Sequence, residues 1–204
     1  MDRSRGRGVL KWKPHCRDSV IADVITLRQM ELPTFRYHPD PVASGAVEPE
    51  QAQCECCEKM VDHVYVASTY SIHDIDKLCP WCIADGSAHE KFDVEFSDPY
   101  PLRDAGIEES IIAEVTTRTP GFISWQQEIW LSHCNNACVF VGDATAEVVA
   151  NMTNDEIDYL LQDHGATPEQ FKEMAANYQP GGQPAIYHFK CLKCHSNLFG
   201  MDYT

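Results

Sequence analysis

Three short cysteine pairs constrain this chain more than any other feature. Cys54 with Cys57, Cys79 with Cys82, and Cys191 with Cys194 each stand as Cys-x-x-Cys, among ten cysteines in 204 residues. A turn of this kind presents two thiolates to one ion. Two such turns complete the tetrahedral four-thiolate shell that structural zinc prefers. Cys57 and Cys79 are separated by 21 residues, and residues 61–70 between them are rich in Val, Tyr and Thr, a strand-like text that suits a zinc-ribbon hairpin. Buried unliganded thiols would not explain two paired spacings. A redox role for Cys79-Pro-Trp-Cys82 lacks the surrounding βαβ pattern. Cys56 is a spare thiol that could replace Cys54 or sit behind the shell.

Only ten residues follow Cys194, so the partners of the third pair lie upstream. Cys134 and Cys138 are the pair left over. A second site of Cys134, Cys138, Cys191 and Cys194 would staple the middle of the chain to its C-terminal strand, and such binding contributes directly to folding. His133 or His195 could replace one sulfur, and the competing reading makes Cys134 and Cys138 ordinary core thiols. Both proposed shells are filled by protein ligands, which points to one or two structural Zn2+ ions and away from zinc hydrolysis.

Charge divides the chain unevenly. The whole carries 16 basic and 31 acidic side chains, a formal −15, yet residues 1–29 hold seven basic and three acidic, a local +4. The remainder is −19, which repels nucleic acid and membrane surfaces and attracts basic partners. Solubility alone would also account for that acidity. No window holds eighteen apolar residues, so nothing in the sequence reads as a membrane-spanning helix. The basic head is not a secretory signal, because Asp23 breaks its apolar run and no small-residue cleavage site follows. It reads as a basic arm, an appended helix or, preferred here, translation from a start upstream of Met30. Without an export signal the expected location is the cytoplasm, where thiols stay reduced and metal binding outranks disulfides.

The expected fold class is α+β: zinc-ribbon-like β units joined to a small helical segment. Residues 1–29 are read as an extension outside the fold, and 30–204 as one domain. Its first ribbon spans 54–82, and a helical segment with the second site spans 107–204. Residues 30–53 carry four prolines and read as an extended, turn-rich lead-in. Residues 98–106 read as a loop. Ile107, Ile111, Ile112 and Val115 share a helical face. Ser124 is placed as the cap of a second helix carrying Trp125, Ile129 and Trp130. Residues 143–151 read as helix. Thr153 with Glu156, and Thr167 with Gln170, mark two further helix starts, and residues 186–190 form a strand leading into Cys191.

No HExxH, P-loop, GxSxG or GxGxxG pattern occurs. His73 and Asp74 are read as surface residues, and Phe122, Trp125 and Trp130 as core side chains. The chain resembles the CbrC family of bacterial proteins. The residues that carry this are Leu32-Pro-Thr-Phe-Arg-Tyr-His-Pro-Asp-Pro41, the Cys54 pair, and Leu78-Cys-Pro-Trp-Cys-Ile-Ala-Asp-Gly-Ser87. It continues through Thr119-Pro-Gly-Phe122, Ser124-Trp-Gln-Gln-Glu128, Trp130-Leu-x-His-Cys134 and Cys191-Leu-x-Cys194. It covers about residues 30–204 and departs at His195, where Gly is expected. The family's name is associated with tolerance to a DNase-type colicin. The resemblance therefore implies an immunity-like protein that binds a basic nuclease toxin and is not an enzyme. The alternative is a zinc-ribbon adaptor or regulator for another cellular protein.

Overall fold

The computed structural model describes residues 31–162 and 164–203, so the expectations for residues 1–29 and for Met30 lie outside the described residues. The chain enters through turns and then forms a hairpin, β1 (Val47–Gln53) with β2 (Met60–Tyr65), antiparallel from Val47 opposite Tyr65 to Gln53 opposite Met60. β1 takes the last seven residues of the segment read as a lead-in. Its text, Val-Glu-Pro-Glu-Gln-Ala-Gln, has little strand character, and pairing with β2 is what makes it a strand. Pro49 is tolerated because the register shifts between Pro49 and Ala52, so no regular ladder bond is demanded there.

Two short helices follow, α1 (Pro80–Ala84) and α2 (Ser87–Phe92). Pro80 occupies the first turn of α1, where a missing N–H leaves no helical bond unmade. Gly86 precedes α2 at φ 85°, a left-handed conformation that glycine adopts without a side-chain clash. The hairpin and these helices close over Val61, Tyr65, Leu78, Ile83, Val94 and Phe96, all buried with Cys54, Cys79 and Cys82 in a first core.

α3 (Tyr100–Asp104) lies within the stretch read as a loop. α4 (Glu109–Arg118) follows the expected period, with Ile112 and Val115 buried. The helix expected from Ser124 does not form, and residues 121–131 take neither helix nor strand, with a bend at 125–126. Phe122 and Trp130 are both 1 % exposed, while Trp125 and Ile129 are each 55 % exposed. The chain is held open from elsewhere. The backbone N–H groups of Trp125 and Gln126 donate to the Asp202 carboxylate at 3.1 and 3.3 Å, and the Trp130 indole donates to the Cys138 carbonyl at 2.8 Å. Gly121 has no substitute there, because a Cβ would collide with the Phe96 carbonyl.

The C-terminal half is organised by a three-stranded antiparallel sheet, β3 (Val139–Asp143), β4 (Ala185–Lys190) and β5 (Asn197–Asp202), in the order β3-β4-β5. Alternation gives it two buried faces. Tyr187, Phe189 and Leu198 turn toward Phe122, Trp130 and Phe140 in a central core, where Phe122 stacks on Phe140 at 4.3 Å. Ile186, Phe199 and Met201 turn toward three helices, α5 (Ala146–Ala150), α6 (Asn154–Leu161) and α7 (Pro168–Ala175). Thr153 and Thr167 each form the full capping box, with Glu156 and Gln170 reaching back to the cap N–H.

Fold class agrees with the α+β expectation, although residues 107–204 contain a sheet as well as helices. The cores are tied together at the start. Phe35 is buried in the first core, whereas Tyr37 is buried in the central one and its carbonyl accepts from Phe140 N–H at 2.7 Å. His38, 1 % exposed, spans the same junction, with Nδ1 at 2.9 Å from the Pro120 carbonyl and Nε2 at 2.7 Å from Ser44 Oγ. Among the described residues no helix is long and apolar enough to cross a membrane.

Candidate metal centres

Two groups of ligand atoms form, and each lies within 4.8 Å throughout: Cys54, Cys57, Cys79 and Cys82, and His133, Cys134, Cys191 and Cys194. In the first, Cys54 and Cys57 sit in the turn of the β1–β2 hairpin, while Cys79 caps the start of α1 and Cys82 lies within it. Sulfur pairs stand 3.9 Å apart for Cys54 with Cys82 and 4.0 Å for Cys57 with Cys79. A tetrahedral ion with metal–sulfur bonds of about 2.3 Å has edges of about 3.8 Å. The thiols are therefore already placed for such an ion.

The second group joins two turns. Residues 190 and 197 close the β4–β5 hairpin, whose loop carries Cys191 and Cys194. The other turn is tight: His133 and Asn136 exchange backbone hydrogen bonds at 2.9 and 3.2 Å, and Cys134 and Asn135 both take positive φ, 52° and 53°. Cys134 Sγ lies 3.8 Å from Cys194 Sγ, and His133 Nδ1 lies 3.3 Å from each of them.

His133 stands where Cys138 was expected. The tight turn ends before residue 138, whose N–H donates to the Leu131 carbonyl at 2.9 Å, so the Cys138 side chain is directed into the central core. Burial pushes that thiol up to about 12, and geometry keeps it out of the group, whose ligand atoms are those of His133, Cys134, Cys191 and Cys194. Cys56 lies outside the first group, with its sulfur 3.5 Å from Ser87 Oγ. His195 also stays out of its group. The signal for His133 was its place directly before Cys134 and ahead of Asn135-Asn136, residue types that accept left-handed turns.

The Cys54 and Cys191 turns are the same device. Cys54 N–H donates to Lys59 C=O and Glu58 N–H to Cys54 C=O, at 2.9 and 2.7 Å. Cys191 N–H donates to Ser196 C=O and His195 N–H to Cys191 C=O, at 2.9 and 3.0 Å. The residue four after the first cysteine is left-handed in both, Glu58 at φ 61° and His195 at φ 62°. This is the physical reason glycine is expected at 195, and the turn forms with histidine nonetheless.

Four thiols this close oppose one another's ionisation. Cys54 is held down to about 4 by the Cys79 thiol, assisted against its own burial by backbone N–H groups of residues 56, 57 and 79, while the same contact drives Cys79 far up. In the second group the Ser196 hydroxyl lowers Cys194, and contact with Cys194 raises Cys134 to about 11. A divalent cation among them would stabilise all the thiolates together. Both groups could hold a metal ion. Burial separates them: the first is enclosed apart from half-buried Cys57, whereas in the second only Cys191 is buried.

Outside both groups, Glu128 is 2 % exposed, and its Oε2 accepts from the hydroxyl of the partly exposed Tyr70 at 2.5 Å, tying residue 70 to the 121–131 segment.

Comparison with known proteins agrees over this whole region. A UPF0167 protein of Pseudomonas aeruginosa is 45 % identical over 175 residues, covering 85 % of this chain and 98 % of that protein. UPF0167 proteins of Mycobacterium bovis and Mycobacterium tuberculosis are each 35 % identical over 183 residues, covering 88 % of this chain and 97 % of theirs. No solved structure matches. The model of UPF0167, described as an uncharacterised protein family, matches residues 32–203, from the lead-in through both ligand groups, and the chain belongs to that family.

Proposed function

We propose that each group holds one structural Zn2+ and that the chain acts by binding another protein, with no catalysis of its own. The observation that carries this is the construction of the two groups. Each offers four protein ligands from two separate segments, a turn and a helix start in the first and two turns in the second, so an ion placed there is saturated and serves to hold segments together. Sulfur-rich sets of this kind select zinc over hard cations such as Mg2+ or Ca2+. Free thiols throughout the described chain fit a reducing compartment, which supports the cytoplasm as its place of action.

The partner in this reading is a basic protein, drawn by the strongly acidic body. Its most specific form is the nuclease domain of a bacterial toxin, as the CbrC resemblance suggests, bound so that it can no longer reach DNA. Long-range attraction would speed encounter and weaken with salt, while a few apolar anchors would supply affinity. Relatives in Pseudomonas and Mycobacterium favour a second form, an adaptor for a cellular protein common to distant bacteria.

Elemental analysis of protein purified without added metal should find two zinc ions per chain, and none would refute the metal reading. Cells with and without the protein should differ in sensitivity to nuclease toxins, with direct binding that weakens at high salt. Protection without binding would move the effect to toxin entry. Absence of protection against every nuclease toxin would leave the adaptor.

A further inference from the structure

β5 is an edge strand without lysine, proline or a bulge. Natural proteins guard such edges with lysine, proline or a bulge. The hairpin strand β1 has Pro49 and a register shift, and β3 has a shift between Phe140 and Gly142. β5 reads Asn-Leu-Phe-Gly-Met-Asp and pairs with β4 without interruption. Its register, together with the Cys191 to Ser196 bond, turns the backbone groups of Leu198, Gly200 and Asp202 toward β4 and those of Asn197, Phe199 and Met201 outward. Among the described residues, Phe199 and Met201 have no second strand to receive those outward groups.

That edge is the floor of a trough. Ile129 and Leu131 wall one side and Tyr159 and His164 the other, around a cavity of about 220 Å³ over residues 199–202. A second cavity of about 430 Å³ continues past Tyr159 and Phe199 along the same strand to His195 and His133. Six residues of strand give a length of about 20 Å. Ile129 is 55 % and Tyr159 52 % exposed, so apolar surface lines a strand-shaped groove. Asp155, Glu156 and Asp202 line it too, and no lysine or arginine does.

We propose that this trough is the docking site for an extended, lysine- or arginine-bearing segment of a partner protein, which adds to β5 as a further antiparallel or parallel strand. Main-chain bonds to Phe199 and Met201 would give the segment its register. Alternate apolar side chains would cover Ile129 and Tyr159, and its cations would meet Asp155 and Glu156. The inference rests on the basic-partner reading above and names the surface that serves it.

The test uses the full chain as purified with its metal. The probe is a labelled nine-residue peptide alternating Lys with Val and Tyr, compared with the same peptide carrying Glu for Lys. The Lys peptide should bind at least tenfold tighter and should slow hydrogen exchange at the Phe199 and Met201 amides. Asn197→Pro blocks the edge at an exposed position, and Tyr159→Lys places a cation on the wall. Each should weaken binding at least tenfold, with a melting temperature within a few degrees of the parent. Equal binding of the two peptides, or binding that leaves those amides unprotected, overturns the proposal. A cationic DNase domain that binds the parent and Asn197→Pro equally overturns the edge site alone and leaves the basic-partner reading standing. Failure of both the Lys peptide and the DNase domain to bind at low salt overturns both.

Discussion

The two ligand groups use one turn design in two settings. At Cys54 and at Cys191 the same pair of backbone bonds closes around a left-handed residue four positions on. The first turn faces the start of a helix inside a core, and its cysteines help to make that core. The second faces another turn at the surface, beside a sheet that already has two apolar cores of its own. Three of the first core's thirteen buried residues are ligand cysteines, so an ion there would be part of the core itself, whereas the sheet is buried on both faces without one. The lesson is that an ion's structural weight follows from what else holds its segments together.

Loss of the first ion should therefore have the largest effect. Cys79→Ser leaves three thiols around an unfilled shell, and structural zinc contributes on the order of 10 kcal/mol in small domains. Residues 47–96 should lose most of their exchange protection, while residues 185–202 keep theirs and one zinc remains per chain. Equal loss in both regions would show that the two cores fold as one unit.

A smaller effect is expected of Cys194→Ser. It should loosen the turns at 132–137 and 191–196 and cost a few kcal/mol at most, because β4 and β5 stay buried on both faces. Because Cys134 and Cys194 are exposed, zinc should leave this site first under a chelator. Release from the parent should be biphasic, and Cys194→Ser should remove the fast phase. A single phase would erase the distinction drawn from burial.

Acid sharpens the comparison at the junction. Burial lowers the His38 pKa from about 6.5 to about 4, against weaker support for the charged ring from the Pro120 carbonyl. The unfolded chain thus takes up a proton that the folded chain refuses. The stability contributed by neutral His38 is complete above pH 6.5 and is lost as pH falls toward 4, by an amount on the order of 3 kcal/mol. His38→Asn should flatten that part of a stability–pH curve. The acid sensitivity that remains belongs to the metal groups, whose ligands must stay deprotonated. An unchanged curve would remove His38 from the junction's account.

The smallest change is Thr153→Ala. It removes the hydroxyl that accepts from Glu156 N–H and should cost about 1 kcal/mol. Exchange should rise in α6 and along β5, which α6 covers, and should be unaltered around Cys54 and Cys79.

Where local chemistry decides the backbone, the structure was legible in advance. Both capping boxes, the face of α4 and the strand before Cys191 fall where their residue patterns put them. Where a distant partner decides it, the text misleads. Ser124, Trp125, Ile129 and Trp130 have helical spacing, yet Asp202, more than seventy residues on, takes the backbone N–H groups of Trp125 and Gln126 and the segment forms no helix. β1 is a strand because β2 lies beside it, and β5, with a glycine in the middle, because β4 does.

The ligand groups divide the same way. Spacing alone determined that two CxxC pairs would come together as one possible metal site, since two residues between cysteines leave the thiols little freedom to point elsewhere. It also determined that the Cys191 pair needed partners upstream. Only the tertiary structure decided between Cys138 and His133. A backbone turning at left-handed Cys134 brings residue 133 round to the Cys191 turn and sends Cys138 into the aromatic core, where burial stabilises it as a neutral thiol. The sequence also set the acidity of the body, but the fold alone placed Asp155 and Glu156 beside β5 and turned Asp202 inward to hold the 121–131 segment. Charge is a property of composition, and where it acts depends on which backbone groups the sheet leaves unpaired.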